Sequence, residues 1–348
     1  MLAVRPGKEM LDTNGARIQA HGGSILYLDG AFYWYGENKE HTVPGSGIWH
    51  WGVRCYVSTD LYTWEDQGLI IPPEPDDPSS PLHPAQLLDR PHIVRQPDSG
   101  RFVCWLRVSS RAGRPQALLV LVADSILGPY TKVRLGLRPF GMDAGDFDLV
   151  VDPEDGKGYC YFERVHRELI CADLTRDLTD VTGYYSTHFP RPRPPFVREA
   201  PAHFVHGHSH YLITSGTTWY FPNQSEIASA QTYHGPWSVL GDPHPTDPTG
   251  TSFRSQVSSV FQHPHLPDLY IALADRWLPD LADDPPKATD LLARETAGDP
   301  SAAAELMGYG YGSDPDTSRA AYIWLPIRFD GDRPTIEWRD QWRIEDYD

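Results

Sequence analysis

The sequence contains few of the residues that build disulfide, metal or membrane-spanning structures. Its 348 residues include four cysteines, and no two of them form a C-x-x-C pair. Cys55, Cys104, Cys160 and Cys171 all lie within apolar runs, so we expect reduced thiols in the core rather than a disulfide or a zinc site. No window offers about 18 uninterrupted apolar residues, which argues against a membrane-spanning helix.

Positive charge is also scarce. The chain has 30 Lys and Arg against 47 Asp and Glu, for a net charge of −17. A basic face for nucleic acid is therefore not expected, and the acidic balance fits a neutral substrate. Residues 1–8 lack the apolar segment of a secretory signal peptide, so we predict a cytoplasmic protein, or a secreted one if a leader has been removed.

Aromatic residues, proline and glycine are abundant instead. The chain has 11 Trp, 18 Tyr, 33 Pro and 29 Gly. Frequent proline and glycine favour short strands and turns over long helices. Exposed aromatic faces suit sugar binding, although Trp and Tyr also pack the cores of all-β proteins.

A unit of roughly 50 to 60 residues recurs five times, a period typical of β-propellers. Each unit has a polar head, a strand, a hairpin turn such as Asp29-Gly30, a second strand and an outer-strand phrase. The heads fall near residues 22, 89, 146, 199 and 256. The sequence therefore predicts an all-β fold, one five-bladed β-propeller over residues 1–348. Because the innermost strands of a propeller line its axis, the five heads should converge on one central pocket.

Two stretches interrupt the repeat. Residues 72–86 are rich in Pro and Asp and are predicted to form a surface connection. Residues 279–319 are rich in Ala, Asp and Pro, with weak helical character over 288–307, and are predicted to be an insertion that acts as a lid or an oligomer contact. One of the segments 321–327 and 336–338 should complete the last blade.

Glu199 stands at the head of an apolar, aromatic run over residues 197–204. Burial without a cationic partner would raise its pKa and make it a proton donor near neutral pH. The alternative is a structural ion pair with Arg198 or Arg276. Comparison with the other units adds weight to the proton donor, because Asp146 occupies the corresponding head of the third unit.

Several carboxylates at one axial pocket meet the requirement of glycoside hydrolysis. We assign Glu199 as the acid and Asp146 as the carboxylate that raises its pKa. Asp148 is an alternative to Asp146, since strand alternation puts both on one face, and capping of the strand entry is the structural alternative. Asp89 and Gln256 are the remaining polar heads.

The chain resembles the five-bladed glycoside hydrolase family 43, and most of all its galactan 1,3-β-galactosidase branch. The likeness extends over nearly the whole chain. It implies an exo-acting, inverting hydrolase that releases a terminal galactose-type sugar from β-1,3-galactan. Related branches act on β-galactofuranosides and α-L-arabinofuranosides, and these two activities are alternative predictions for this chain, because it departs from the pattern of the galactosidase branch. The phrases that carry the resemblance are Ala20-His21-Gly22-Gly23, Tyr33-Trp34-Tyr35-Gly36-Glu37, the segment 58–64, Arg198-Glu199-Ala200-Pro201, Thr214-Ser215-Gly216, Asp275-Arg276-Trp277 and the segment 322–327.

The resemblance also shows where this chain departs from the family pattern. The usual general base is an Asp in a D-P-S-I phrase of the first blade, where this chain has Gly22-Gly23-Ser24-Ile25. The galactosidase branch shares that absence, and there a glutamine matched by Gln256 is thought to hold the attacking water. A neutral amide is a poor base by itself. Asp89 stands where the branch carries a longer Glu in an E-R-P phrase, so either Gln256 or Asp89 is expected to set the water.

Other binding roles follow from the same resemblance. Glu37 is similar to a Glu that accepts sugar hydroxyls. Trp219 and Asn223 follow Thr214-Ser215-Gly216 and are expected to stack on and hydrogen-bond a sugar ring, with plain packing as the alternative for Trp219. Arg276 is expected to hold the acid carboxylate or a substrate oxygen, and His21, beside the lost base, to be a substrate-contacting or hydrogen-bonded pore residue.

The predicted partner is an oligosaccharide or polysaccharide, without nucleic acid or membrane, and the oligomeric state is left open. No cofactor is expected because no His pair has ligand spacing, although some family members hold Ca²⁺ in the axial channel. The Trp49-His50-Trp51 insertion and residues 279–319 are expected to shape the subsites. A sugar-binding propeller without catalysis, or a purely structural one, is the rival prediction.

Overall fold

The computed structural model describes residues 2–110, 115–281 and 286–347, and it forms a ring of five four-stranded antiparallel sheets. Each sheet uses four consecutive strands, and the first strand of each contacts the first strand of its neighbours around the axis. The predicted all-β, five-bladed propeller is confirmed, and the five polar heads lie on or beside the innermost strands.

The blades follow one another along the chain, each from the axis to the rim. Their strands are, in blade 1, β1 His21–Leu28, β2 Ala31–Glu37, β3 Val53–Ser58 and β4 Glu65–Ile71; in blade 2, β5 Leu87–Arg95, β6 Phe102–Ser109, β7 Gln116–Ala123 and β8 Thr131–Leu137; in blade 3, β9 Ala144–Val151, β10 Gly158–Arg164, β11 Glu168–Leu174 and β12 Val181–His188; in blade 4, β13 Arg198–His206, β14 Ser209–Gly216, β15 Glu226–Ala230 and β16 Ser238–Gly241; and in blade 5, β17 Gln256–Gln262, β18 Tyr270–Arg276, β19 Ala321–Asp330 and β20 Arg333–Ile336.

Two α-helices lie in the insertion between β18 and β19. They are α1, Pro286–Thr296, and α2, Pro300–Gly308, and each buries apolar side chains against the other. The helical character predicted over 288–307 is therefore present. Among the described residues, no helix is both long and apolar enough to cross a membrane.

The ends of the chain meet where blade 5 closes against blade 1. Val4 and Trp342 exchange backbone hydrogen bonds of 2.9 and 3.0 Å. Beside them Trp34 of blade 1 packs on Trp324 of blade 5, with ring centroids 4.5 Å apart, within a buried aromatic cluster. Both β19 and β20 belong to blade 5, where the sequence predicted only one closing strand, because a four-stranded blade needs both after the insertion.

Local bulges aim the polar heads at the axis. The pairing register shifts at or just after the head in all five innermost strands, and in blade 3 the extra residue lies on β9, between Ala144 and Phe147. A bulge bends its strand and redirects a side chain, so each blade turns its polar group toward the same end of the channel. All four cysteines are buried free thiols, as predicted.

Candidate active site

A pocket of about 350 Å³ lies at the axis, at the end where the heads converge. Every blade contributes to its wall, and Tyr311 and Gly312 reach it from the insertion. The wall is rich in carboxyl groups, balanced by two arginines. The carboxyl groups are those of Glu37, Asp89, Asp146, Glu163 and Glu199, and the arginines are Arg90 and Arg107.

Glu199 begins the innermost strand of blade 4, opposite Ser215 of β14. Burial raises its pKa well above the usual value, and the negative charges of Asp146 and Glu163 raise it further. The ion pairs considered from the sequence do not form. Arg198 turns away to the hydroxyl and carbonyl of Thr214, at 2.9 and 2.7 Å. A carboxyl group in this setting retains its proton near neutral pH.

Asp146 is bound by two arginines. Its Oδ2 lies 3.0 Å from Arg90 Nη2, and its Oδ1 lies 3.5 Å from Arg107 Nη1. These two guanidinium groups fix the carboxylate in one orientation, since a planar donor fork defines the direction of its acceptor. Asp146 is therefore held in place beside Glu199, and its charge raises the pKa of Glu199.

Gln256 contacts Glu199 directly. Its Nε2 lies 3.4 Å from Glu199 Oε1 and 2.9 Å from Ser215 Oγ. Its Oε1 accepts from Trp277 Nε1 at 3.1 Å and from Arg90 Nη2. Two donors on the oxygen select the ordinary amide form, and both ends of the side chain are occupied by protein groups.

Glu37 ends β2 and lies beside the place of the missing base. A Cβ on Gly22 would come within 2.5 Å of Glu37 Oε1, so this carboxylate occupies the space that a side chain at position 22 would need. Glu37 Oε1 accepts from Arg90 N at 2.8 Å, and its Oε2 lies 2.8 Å from the buried Lys39 Nζ. Burial raises the pKa of Glu37 to about 7, although Lys39 opposes the shift.

Asp89 has the opposite electrostatic character. It accepts from Trp49 Nε1 at 2.8 Å and lies 2.9 Å from Arg107 Nη1 and 3.7 Å from Lys39 Nζ. Burial alone would raise its pKa, but these cations and the indole outweigh it and hold the pKa below the usual value. Asp89 is therefore a permanently charged member of the wall.

Aromatic side chains complete the pocket. Trp219 is 38% exposed and lies 5.8 Å from the ring of Trp49, while Tyr220 lies 5.2 Å from Trp277. Trp49 comes from the insertion in blade 1 that the sequence analysis expected to shape a subsite. The exposed face of Trp219 is available to stack on a sugar ring.

Three predicted binding residues lie outside the pocket. Asn223 is buried and binds its own loop, through Gly216 N at 2.6 Å and Thr218 Oγ1 at 2.6 Å, so it holds the loop that carries Trp219. Arg276 donates to Phe253 O at 2.8 Å and faces away from the acid. The side chains of Asn223 and Arg276 therefore do not line this pocket.

His21 is also fully buried outside the pocket wall. Its Nδ1 lies 2.9 Å from Asp275 Oδ1, and its ring stacks on Tyr322 with centroids 4.7 Å apart. Asp275 Oδ2 accepts from Gly22 N at 2.9 Å. These contacts make His21 a hydrogen-bonded residue of the innermost layer.

Asp148 does not share the pocket with Asp146. It accepts from His203 N at 2.7 Å and lies 3.2 Å from His92 Nδ1, in a second cavity further along the channel. Two residues advance a strand by about 6.6 Å, so groups on the same face reach different ends of the axis.

The sequence analysis missed Arg90, Arg107, Glu163 and Tyr311. A signal for Arg107 was present in the repeat. In blades 2, 4 and 5 the second strand carries a polar residue paired with the head, in the pairs Asp89–Arg107, Glu199–Ser215 and Gln256–Asp275. Aligning the second strands as well as the heads would have found Arg107.

Within the described ranges, no group of three or more His, Cys, Asp or Glu side chains could hold a metal ion. His92 and Asp148 contact one another on the channel wall, with 3.2 Å between His92 Nδ1 and Asp148 Oδ1.

Comparison with known proteins gives a consistent result. A model of the family described as glycosyl hydrolases family 43 matches residues 17–266. A search of curated proteins found no significant match. Among solved structures, a family 43 β-1,3-galactosidase superposes with a TM-score of 0.80 at 25% identity, over 99% of this chain and 64% of that chain.

Two further structures have comparable similarity. Another family 43 β-1,3-galactosidase, solved with galactodeoxynojirimycin, has a TM-score of 0.78 and 26% identity over 98% of this chain and 100% of its own. An exo-β-1,3-galactanase from Phanerochaete chrysosporium, solved with galactose, has a TM-score of 0.78 at 24% identity, over 98% of this chain and 68% of that one. The last likeness supports the fold alone.

Proposed function

The chain belongs to glycosyl hydrolase family 43, and we propose that it is an exo-acting, inverting glycosidase that releases a terminal galactose from β-1,3-galactan or a related oligosaccharide. Two structures at 25 and 26% identity are described as β-1,3-galactosidases, and one of them was solved with galactodeoxynojirimycin. A pocket of about 350 Å³ at the propeller axis suits the end of a sugar chain better than its middle.

The observation that carries the proposal is the setting of Glu199. Burial and two neighbouring carboxylates raise its pKa, so it can donate a proton to the leaving glycosidic oxygen. Asp146, bound by Arg90 and Arg107, supplies the fixed charge that keeps the proton on Glu199. A purely sugar-binding site has no need of such a donor.

Gln256 acts in this proposal by positioning the acid. An inverting enzyme separates its acid and base by about 6.5–9.5 Å so that the sugar and a water fit between them. Gln256 Nε2 is only 3.4 Å from Glu199 Oε1, which is too close for that role. Its hydrogen bonds instead fix the direction of the Glu199 carboxyl group.

We assign the attacking water to Glu37. Glu37 and Asp89 are the carboxyl groups of blades 1 and 2, which lie across the ring from blade 4. Asp89 is stabilised as an anion by Arg107 and Lys39 and is a weak base. Glu37, with a pKa of about 7, is matched to accept a proton from water near neutral pH. Its carboxylate also lies beside Gly22, where the family usually places the base.

Hydrolysis of a sugar panel tests the activity. The panel contains aryl β-galactopyranoside, β-galactofuranoside, α-L-arabinofuranoside and β-xyloside, with β-1,3-galactan, for wild type and Glu199→Gln. We expect galactose release from the galactan, with α-galactose as the first anomer seen by NMR, and a loss on the order of 10²-fold or more in the variant. Hydrolysis of a different glycoside of the panel would identify that sugar, and not galactose, as the one released. If the protein binds galactose but hydrolyses none of the substrates, the proposed enzyme is instead a sugar-binding protein.

Rescue of activity by azide tests whether Glu37 or Gln256 positions and activates the attacking water molecule. In Glu37→Ala, azide should attack the anomeric carbon as the glycosidic C–O bond breaks, and form α-galactosyl azide with recovery of rate. Gln256→Ala should gain no such product, since its defect is in the acid. If azide restores activity to Gln256→Ala and not to Glu37→Ala, then Gln256 is the residue that positions the attacking water.

A further inference from the structure

The carboxyl group of Glu163 lines the pocket, and three features of the nearby backbone place it there. Glu163 lies on β10 between Phe162 and Arg164, at the point where the pairing register with β9 shifts. A Cβ on Gly145 would come within 2.1 Å of Glu163 Oε2, so the carboxyl group occupies space that only glycine leaves open. Its Oε1 accepts from His166 N at 2.7 Å, in a turn where His166 has φ 58°.

Tyr311 is brought to the same pocket by the helical insertion. It follows α2, and its backbone N donates to Leu306 O at 3.0 Å. Its ring lies nearly parallel to that of Phe221, with an interplanar angle of 16° and centroids 6.2 Å apart. Leu291 of α1 and Leu306 of α2 pack in the cluster against which Tyr311 lies. The insertion thus holds one aromatic side chain at the pocket wall.

Both residues lie on the acid's side of the pocket. The charge of Glu163 acts on Glu199, and the charge of Glu199 acts on Tyr311. Glu37 and Asp89 lie instead on blades 1 and 2. Because the acid delivers its proton to the bond that breaks, the departing sugar must lie on the side of Glu199.

Resting on the function proposed above, we propose that Glu163 and Tyr311 form the subsite for the leaving-group sugar, a hexopyranose. The carboxyl group of Glu163 hydrogen-bonds ring hydroxyls of that sugar, and the aromatic ring of Tyr311 covers one of its faces. The insertion is then a specificity element that selects a sugar aglycone rather than any good leaving group.

Two substrates with the same terminal sugar test this subsite. β-Galactosyl fluoride has no leaving-group sugar, whereas β-1,3-galactobiose has one. We expect Tyr311→Ala and Glu163→Gln each to lower kcat/KM for the disaccharide at least tenfold while changing that for the fluoride less than threefold. Tyr311→Phe, which keeps the ring, should retain most of the disaccharide activity. Met307→Ala, on the exposed side of α2, is the matched control and should change neither value.

The pH dependence of kcat/KM distinguishes a contact between Glu163 and the sugar from an effect of Glu163 on the pKa of Glu199. The groups that act on Glu163 are the charges of Asp146, Arg107 and Glu199 together with the His166 amide, so Glu163→Gln also changes the titration of the acid. A loss that persists at acidic pH, where Glu199 is protonated in both proteins, supports a contact with the sugar.

Two results overturn the inference separately from the proposed function. If wild type cleaves both substrates and the ratio of kcat/KM values is unchanged in the folded variants, the subsite is wrong and the glycosidase stands. If wild type cleaves neither substrate, the proposed function fails and the subsite fails with it. Thermal melting of each variant identifies those that have lost their fold.

Discussion

Replacement of Glu163 by Gln should make the stability of this protein less dependent on pH. Burial, with the nearby charge of Asp146, raises the pKa of Glu163 from an ordinary 4.5 to about 7. Between these values the unfolded chain is ionised at this position while the folded protein keeps the proton. The folded state therefore binds more protons, and the free energy of unfolding falls as pH rises through this window.

The size of the effect follows from the shift. Each pKa unit corresponds to about 1.4 kcal/mol, so ionisation of Glu163 in the folded protein costs about 3 kcal/mol by pH 8. Glu163→Gln has no charge to bury and avoids that cost. Part of that cost is already present at pH 5, so relative to wild type the variant should gain about 2.5 kcal/mol between pH 5 and pH 8, or on the order of 3 °C in Tm for a chain of this length.

Urea unfolding at pH 5 and pH 8 gives the difference in unfolding free energy between variant and wild type at each pH. Hydrogen bonds lost by the substitution affect both values equally, so they cancel when the two values are subtracted. Glu65→Gln, which changes an exposed carboxylate on β4, is the control and should show no such difference between the two pH values. If Glu163→Gln changes stability equally at both pH values, the folded protein does not penalise the charge, and the electrostatic account of the pocket is wrong.

Two other substitutions probe the same cluster. Asp146→Asn removes a negative charge that raises the pKa of Glu199, so the alkaline limb of the pH–rate profile should move to lower pH; an unmoved limb would show that Asp146 only positions its arginines. Gly22→Ala places a Cβ within 2.5 Å of Glu37 Oε1 and should abolish turnover of all substrates. Gly30→Ala has a similar positive φ with open space around its Cβ and should remain active, so equal loss in both would indicate backbone strain alone.

The architecture was predictable because its signals are local and repeated. A turn such as Asp29-Gly30, with φ of 49° and 89°, specifies a hairpin wherever it stands between two apolar runs. Five such units at similar spacing leave the propeller as the natural solution. The heads could then be placed on the axis without knowledge of any tertiary contact.

The direction of individual side chains was not predictable in the same way. Asn223 and Arg276 belong to phrases that border the pocket, but one binds Gly216 and the other Phe253 O. Asp148 follows the alternation rule and still faces the other end of the channel. Bulges and loop hydrogen bonds decide these directions, and neither leaves a clear mark in a single sequence.

The proton on Glu199 is better understood as a property of the whole pocket than of one neighbour. Five carboxyl groups line the wall, while three cations, the buried Lys39 and Arg90 and the partly buried Arg107, balance them. With every carboxyl group ionised the cluster would carry two uncompensated negative charges out of water, which is costly. Retention of protons lowers that cost, and Glu199, whose direct partner is a neutral amide, is the group that keeps one most firmly. The sequence analysis assigned this effect to Asp146 alone because the other charged residues were not recognised as neighbours.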